Sequence, residues 1–214
     1  MNKFFRMTFG LKGAVTKFQF SAVTYLMLIG CSDNAFNFGG ENGLDHIPLS
    51  SGSSWSYIRF DSVAAMEDTV IFNIIGQVIS IHGDTGIEIE KVDSTVNKSY
   101  AIMDSDTLSF ISDLEPPIIV FGRFVLPLKV GNQWLGNSQF DSVRVVSRET
   151  VEVPAGVFKE TYRVERKSWI FNQTNQTTYW IAPGIGIVKK HVHNFGLSET
   201  KIELWNLLSY SVPE

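Results

Sequence analysis

The 214-residue chain has one cysteine, Cys31. A single thiol makes no disulfide within the chain, so the fold has to be stabilised by its core. An uninterrupted apolar run of about 20 residues, the length of a membrane-crossing helix, is also missing. The best apolar stretch, residues 18–29, is broken by Gln19, Ser21 and Thr24. Acidic side chains are absent from the first thirty residues, whose only charges are Lys3, Arg6, Lys12 and Lys17. Charged residues are 19% of the chain, below the usual quarter, and this excludes a highly charged disordered stalk. No Gly-x-Ser-x-Gly elbow occurs, so the motif that exposes a serine nucleophile is not available. Gly184-x-Gly186 is followed by neither a helix pattern nor a Lys-Ser ending, which argues for a turn rather than a phosphate loop.

A basic start followed by a short apolar centre has the layout of a secretory signal. Cys31 stands at the end of that segment, in Leu28-Ile29-Gly30-Cys31. This stretch resembles the lipobox of bacterial lipoproteins. The resemblance implies that residues 1–30 are removed and that the Cys31 thiol carries the lipid. Ser32, where an aspartate would signal otherwise, implies delivery to the outer membrane. Several acyl chains on one cysteine would anchor the protein durably, since each buried methylene contributes about 0.8 kcal/mol. The expected address is therefore the bacterial cell envelope, with the membrane as partner through the lipid anchor. Without the four basic residues of the signal, 14 Lys and Arg face 22 Asp and Glu, a net charge of −8. That excludes nucleic acid as an expected partner, because phosphates reward basic surfaces. Residues 31–46, rich in Asn, Gly and Asp, read as a flexible tether, and residues 47–214 as one domain.

The body is patterned as strands. Ile87-Glu88-Ile89-Glu90 alternates apolar and acidic, as a strand with one wet face does. With Val70 to His82 before it and Gly83-Asp84-Thr85-Gly86 between, the pattern predicts a hairpin. Val143-Arg144-Val145 and Tyr162-Arg163-Val164-Glu165-Arg166 alternate in the same way. Residues 172–175 and Pro183-Gly184 read as turns, and Trp205 and Leu207, two apart, as one face of a final strand. No eleven-residue window carries a capped 3.6-residue period; residues 104–114 come nearest. About eleven strands are expected, and hence an all-β fold: an antiparallel sheet forming a barrel, a half-open barrel or a sandwich.

Pro48-Leu49-x-x-Gly52-x-x-Trp55 recurs as Pro127-Leu128-x-x-Gly131-x-x-Trp134, 79 residues later. Phe60-Asp61-Ser62-Val63 and Phe140-Asp141-Ser142-Val143 follow the two copies. Tyr100 and Ile102 match Tyr179 and Ile181 at the same offset. Two related halves, about 47–125 and 126–205, are expected; the alternative is one strand-starting device used twice. These motifs, with Val153-Pro154-Ala155-Gly156-Val157-Phe158 and Tyr179-Trp180-Ile181-Ala182-Pro183-Gly184-Ile185-Gly186, resemble a group of uncharacterised secreted bacterial lipoproteins. Relatives of that group are similar to half-open lipoprotein-carrier barrels, which implies room for acyl chains.

Candidate chemistry is sparse. His191-x-His193 on a strand is a possible pair of metal ligands, but a site needs three or four. His46 and His82 lie elsewhere, so a solvent-facing pair beside Lys189 and Lys190 is the expectation. Asp61, Asp68, Asp93, Asp106 and Asp141, each followed by Ser or Thr, resemble bacterial O-glycosylation acceptors; strand-end turns use the same residues. No catalytic residue, metal or cofactor is assigned, and the lipid-attachment residue Cys31 is the one site named. The sequence thus points to a non-catalytic, lipid-anchored binding or envelope-organising module, with an apolar ligand or an envelope protein as partner. The alternatives are a surface module for a protein or glycan, and a hydrolase whose site assembles only on folding.

Overall fold

The computed structural model describes residues 46–79, 85–170, 173–196 and 200–213. Cys31, the signal and tether through residue 45, and residues 82–84 and 172 lie outside the described residues; of the turns expected at 83–86 and 172–175, residues 85–86 and 173–175 are strand instead. Among the described residues, twelve antiparallel strands follow one another: β1 (Ser54–Asp61), β2 (Met66–Ile79), β3 (Thr85–Val92), β4 (Val96–Asp104), β5 (Thr107–Ile111), β6 (Val120–Val125), β7 (Gln133–Leu135), β8 (Asp141–Val153), β9 (Gly156–Ile170), β10 (Gln173–Ala182), β11 (Gly186–Phe195) and β12 (Thr200–Ser211). They form a single sheet in the order β6-β5-β4-β3-β2-β1-β12-β11-β10-β9-β8-β7. The expected all-β fold is thus the observed one. Residues 104–114, the nearest approach to a helical pattern, form a turn and β5.

The sheet curls until its two edge strands meet. Phe124 of β6 packs edge-on against Tyr179 of β10, ring centroids 5.3 Å apart, although many strands separate them in the sheet order. Among the described residues no backbone ladder joins β6 to β7; side chains do. The Trp134 indole N–H donates to the Arg123 carbonyl at 3.1 Å, and an Arg123 N–H to the Gly136 carbonyl at 3.3 Å. The Asn137 amide reaches the Val120 carbonyl. Arg166 of β9 donates to the Phe121 carbonyl at 2.5 Å. The result is a nearly closed barrel. Its curvature has a visible source in bulges, each adding a residue to one strand and increasing local twist. Register shifts occur between Ile74 and Gly76, Val145 and Ser147, and Glu149 and Val151.

Period-two alternation sends one face of every strand into the barrel. Val70, Val145, Val164, Val188, Ile181 and Leu207 are fully buried, and each such side chain contributes about 1.5–3 kcal/mol. Trp205 and Leu207 do share the buried face of the last strand.

Both copies of the Pro-Leu-x-x-Gly-x-x-Trp motif lead into the first strand of a six-strand run, and they make matching bonds. Gly52 N donates to Ile74 O and Gly131 N to Val145 O, both at 2.9 Å; Ser53 N donates to Ser50 O and Asn132 N to Lys129 O, both at 3.0 Å. Gly52 and Gly131 have φ of +86° and +94°, a region that disfavours any side chain. The companion matches behave differently. Asp61 ends β1, whereas Asp141 begins β8. Tyr179 lines the barrel interior. Tyr100 instead lies on the opposite face of its strand from the interior residues Ser99 and Ala101, because a one-residue register difference exchanges the faces.

Candidate functional site

One end of the barrel interior holds an apolar cavity of about 180 Å³. Trp55 and Tyr57 alternate inward from β1. The Trp55 indole N–H donates to the Ile185 carbonyl at 2.6 Å and the Tyr57 hydroxyl to the Ile187 carbonyl at 2.7 Å. Their polar atoms are thereby satisfied and their rings form the wall. Burial pushes the Tyr57 hydroxyl well above the ordinary phenol range, so it stays neutral. Phe72 stands edge-on to Tyr57 at 5.8 Å, and Trp205 lies within 6.2–6.3 Å of both. Ile74, Ile89, Phe110, Phe124 and Ile187 complete the apolar surface. The volume falls below the 300–1,000 Å³ of a drug-sized pocket. It matches the order of an apolar cavity of about 150 Å³ that admits benzene.

Lys190 of β11 also lines the cavity. Its register partners are Tyr179 and Trp205, both of which line it too. Its ammonium lies 4.7 Å from the Trp205 ring centroid. Burial pulls its pKa down to about 8, against the opposing attraction of Glu203. Among the described residues it has no salt-bridge or hydrogen-bond partner.

Beyond Lys190, toward the end of β1 that holds Asp61, the interior becomes charged and internally paired. Arg59 holds Asp68, with one of the bonds at 2.8 Å. Lys91 meets Asp93 at 2.5 Å, and Lys201 bridges Asp61 at 3.0 Å and Glu203 at 2.8 Å. These partners pull the carboxyls down: Asp68 through its Arg59 hydrogen bond, Asp61 through Lys201, and Asp93, well below the usual range, through Lys91 and then the Thr95 backbone N–H. For Glu203, burial acts upward first, but Lys201 and the Trp205 N–H outweigh it.

A second polar centre lies near the β6–β7 seam. Asp141, 3% exposed at its side chain, accepts from Arg166 at 2.5–3.1 Å and from the Asn137 backbone N–H at 2.9 Å. A Cβ on Gly136 would stand 2.3 Å from the Asp141 carboxyl carbon, so only glycine fits there. A larger depression of about 530 Å³ has Trp134, Leu135, Val143 and Val146 in its lining beside Gln133, Arg144, Glu165 and Lys167.

The histidine pair sits on the opposite face of β11 from Lys190. His191 packs on Trp180, ring centroids 4.8 Å apart, and His193 on Phe195 at 6.1 Å. Burial, then Lys189, lowers the His191 pKa to about 4. No group of three metal-ligating side chains occurs among the described residues. Gly184 and Gly186 lie in and just after the β10–β11 turn, with φ of +74° and +96°. The histidine pair expected to face solvent is half-buried, and Lys190, beside it in sequence, lines the cavity. Strict alternation along β11 separates Lys190 from both histidines, and that signal was present in the sequence. Asp141, one of the candidate glycan acceptors, is buried in its ion pair. Among the described residues, no helix is long and apolar enough to cross a membrane.

No protein-family model matches the chain, and no curated protein is similar to it. Among solved structures, the similar ones include the following two. One, from Bacteroides fragilis, is described as an exported protein with a YmcC-like fold; it is 14% identical over 78% of this chain and 98% of its own, with a TM-score of 0.48. The other, from Parabacteroides distasonis, is described as a lipoprotein; it is 13% identical over 77% of this chain and 97% of its own, with a TM-score of 0.38. Likeness of this degree assigns no function.

Proposed function

We propose that this chain is an exported protein, anchored to the outer membrane by acyl groups on Cys31, whose barrel binds a small apolar ligand without catalysis. The observation that carries the reading is the aromatic cavity of about 180 Å³ inside the barrel. The space is partly open and its lining is mostly apolar and aromatic, as the lining of ligand sites is. The hydroxyl of Tyr57 and the indole N–H of Trp55 are already bonded to backbone carbonyls, which favours holding a ligand over chemistry on it. The cavity is smaller than the several hundred cubic ångströms usual for ligand sites, so the ligand, or the part of it that enters, is small. In the same reading, the two six-strand runs descend from one duplicated half, supported by the matching bonds of the two Pro-Leu-x-x-Gly-x-x-Trp motifs.

Native mass spectrometry of the protein purified from its own membrane tests both parts. The expected spectrum shows acylated Cys31 at the new amino terminus and a retained small molecule that Trp55→Ala or Phe72→Ala releases. An unprocessed amino terminus would overturn the anchor. Failure of both benzene and 1-octanol to perturb tryptophan fluorescence, alongside an empty native spectrum, would overturn the cavity reading.

A further inference from the structure

We infer that the ligand is an anion: a small amphiphile whose carboxylate pairs with the Lys190 ammonium while its aliphatic or aryl body fills the cavity. The inference rests on reading the cavity as a binding site, and names the ligand's chemistry.

The barrel interior carries Arg59, Lys91, Lys201, Arg166 and Lys190. The first four each meet a carboxylate: Asp68, Asp93, Asp61 with Glu203, and Asp141. Lys190 does not. The nearest acid by register is Glu203, which is engaged by Lys201 at 2.8 Å and by the Trp205 indole N–H at 3.0 Å. The hydroxyl of Tyr57, across the cavity, donates to a backbone carbonyl. What remains to Lys190 is the face of Trp205 at 4.7 Å, a contact that orients a cation without accepting its hydrogen bonds. An ammonium has three donors, and a half-buried charge such as Lys190 is stabilised by a counter-ion that also supplies acceptors.

Lys190 stands where the apolar wall gives way to the paired charges, so an occupant of the cavity meets it at one end only. A cationic ligand would add a like charge beside Lys190, Arg59 and Lys91. A neutral one would leave the donors unused. A carboxylate supplies the missing charge and acceptors. The volume limits its apolar part to a benzene-sized group or a short chain.

The test titrates the full chain, carrying Cys31→Ser so that no acyl group is attached, with octanoate, 1-octanol and octylamine. Trp55 and Trp205 in the cavity wall provide the fluorescence signal, and calorimetry the stoichiometry. Octanoate is expected to bind tightest and octylamine weakest. Lys190→Met should weaken octanoate about tenfold to a hundredfold, the range of one charge-assisted hydrogen bond, and leave 1-octanol within about twofold. Lys190→Arg should restore octanoate binding. If octanol binds as tightly as octanoate, or Lys190→Met affects both equally, the anion inference falls and the apolar site stands. If none of the three binds, the inference and the site fall together. Thermal melting of Lys190→Met and Lys190→Arg confirms that each variant is folded.

Discussion

The barrel closes twice, by different means. Between β1 and β12 the closure is a backbone ladder running from Ser54↔Ser211 to Asp61↔Glu203, with one bulge. Between β6 and β7 it is made of side chains: the Trp134 indole, Arg123, Asn137, and Arg166 clamped by Asp141. Backbone bonds use groups that every residue carries, so side chains beside the first seam are available for other tasks. Arg59 and Lys190 flank Trp205 there, at 5.2 and 4.7 Å from its ring, and Lys190 has no counter-ion among the described residues. At the second seam the polar side chains are committed to closure. Lys190 therefore sits beside the seam that does not need it.

The largest expected effect separates the two seams by removing one carboxylate from each. Asp141→Ala removes the buried carboxylate that holds the half-buried Arg166, and should destabilise the protein by about 3–5 kcal/mol, as breaking a buried ion pair does. Asp68→Ala removes a carboxylate whose side chain is 29% exposed, and should lower stability by about 1 kcal/mol or less. Urea denaturation of both variants decides the matter. Equal losses would mean that the second seam does not depend on its ion pair.

Lys190 should respond with the opposite sign. It is an unpaired charge in an apolar wall, so Lys190→Met is expected to stabilise the ligand-free protein by roughly 1–2 kcal/mol. Unfolded, Lys190 keeps its proton to its ordinary value of 10.5; folded, to about 8. Between those values the unfolded chain binds more protons, so stability rises with pH. Below about pH 8 the full penalty is present, and the advantage of Lys190→Met should be greatest; it should shrink as pH approaches 10. Glu203 opposes this shift, while Lys91, Arg166 and Arg59 reinforce it. A pH-independent gain would show that packing of the methionine, not relief of charge, is responsible.

The contrast between the seams also marks what the sequence discloses. Alternation is local, and so the hairpin at Ile87-Glu88-Ile89-Glu90 and the shared face of Trp205 and Leu207 could be read directly. The Pro-Leu-x-x-Gly-x-x-Trp motifs likewise announced two strand starts. Closure is not local. Arg166 reaches Asp141 across 25 positions and Phe121 across 45, and no spacing rule links those residues. Bulges defeated longer-range pattern matching: Tyr100 and Tyr179 agree in sequence offset yet occupy opposite faces. Lys190 lay between these cases. Its inward side follows from alternation with His191 and His193, but its solitude depends on Lys201 holding Glu203, which only the folded arrangement specifies.

The finest discrimination comes from the two tryptophans that occupy the same place in the two motifs. Trp55→Phe and Trp134→Phe each remove one indole N–H donor, from the Ile185 carbonyl at 2.6 Å and the Arg123 carbonyl at 3.1 Å. Each should lower global stability by about 1 kcal/mol, so equilibrium unfolding would barely distinguish them. Amide hydrogen exchange should, because local opening follows the bonds that hold a particular edge. In Trp134→Phe the amides of Val120–Val125 are expected to exchange several-fold faster, since one of the few links between β6 and β7 is gone. In Trp55→Phe the amides of β1 and β12 should keep their protection, because their ladder remains intact. Faster exchange at both seams, or at neither, would mean that the two closures are mechanically alike, and that the unpaired state of Lys190 owes nothing to the backbone ladder beside it.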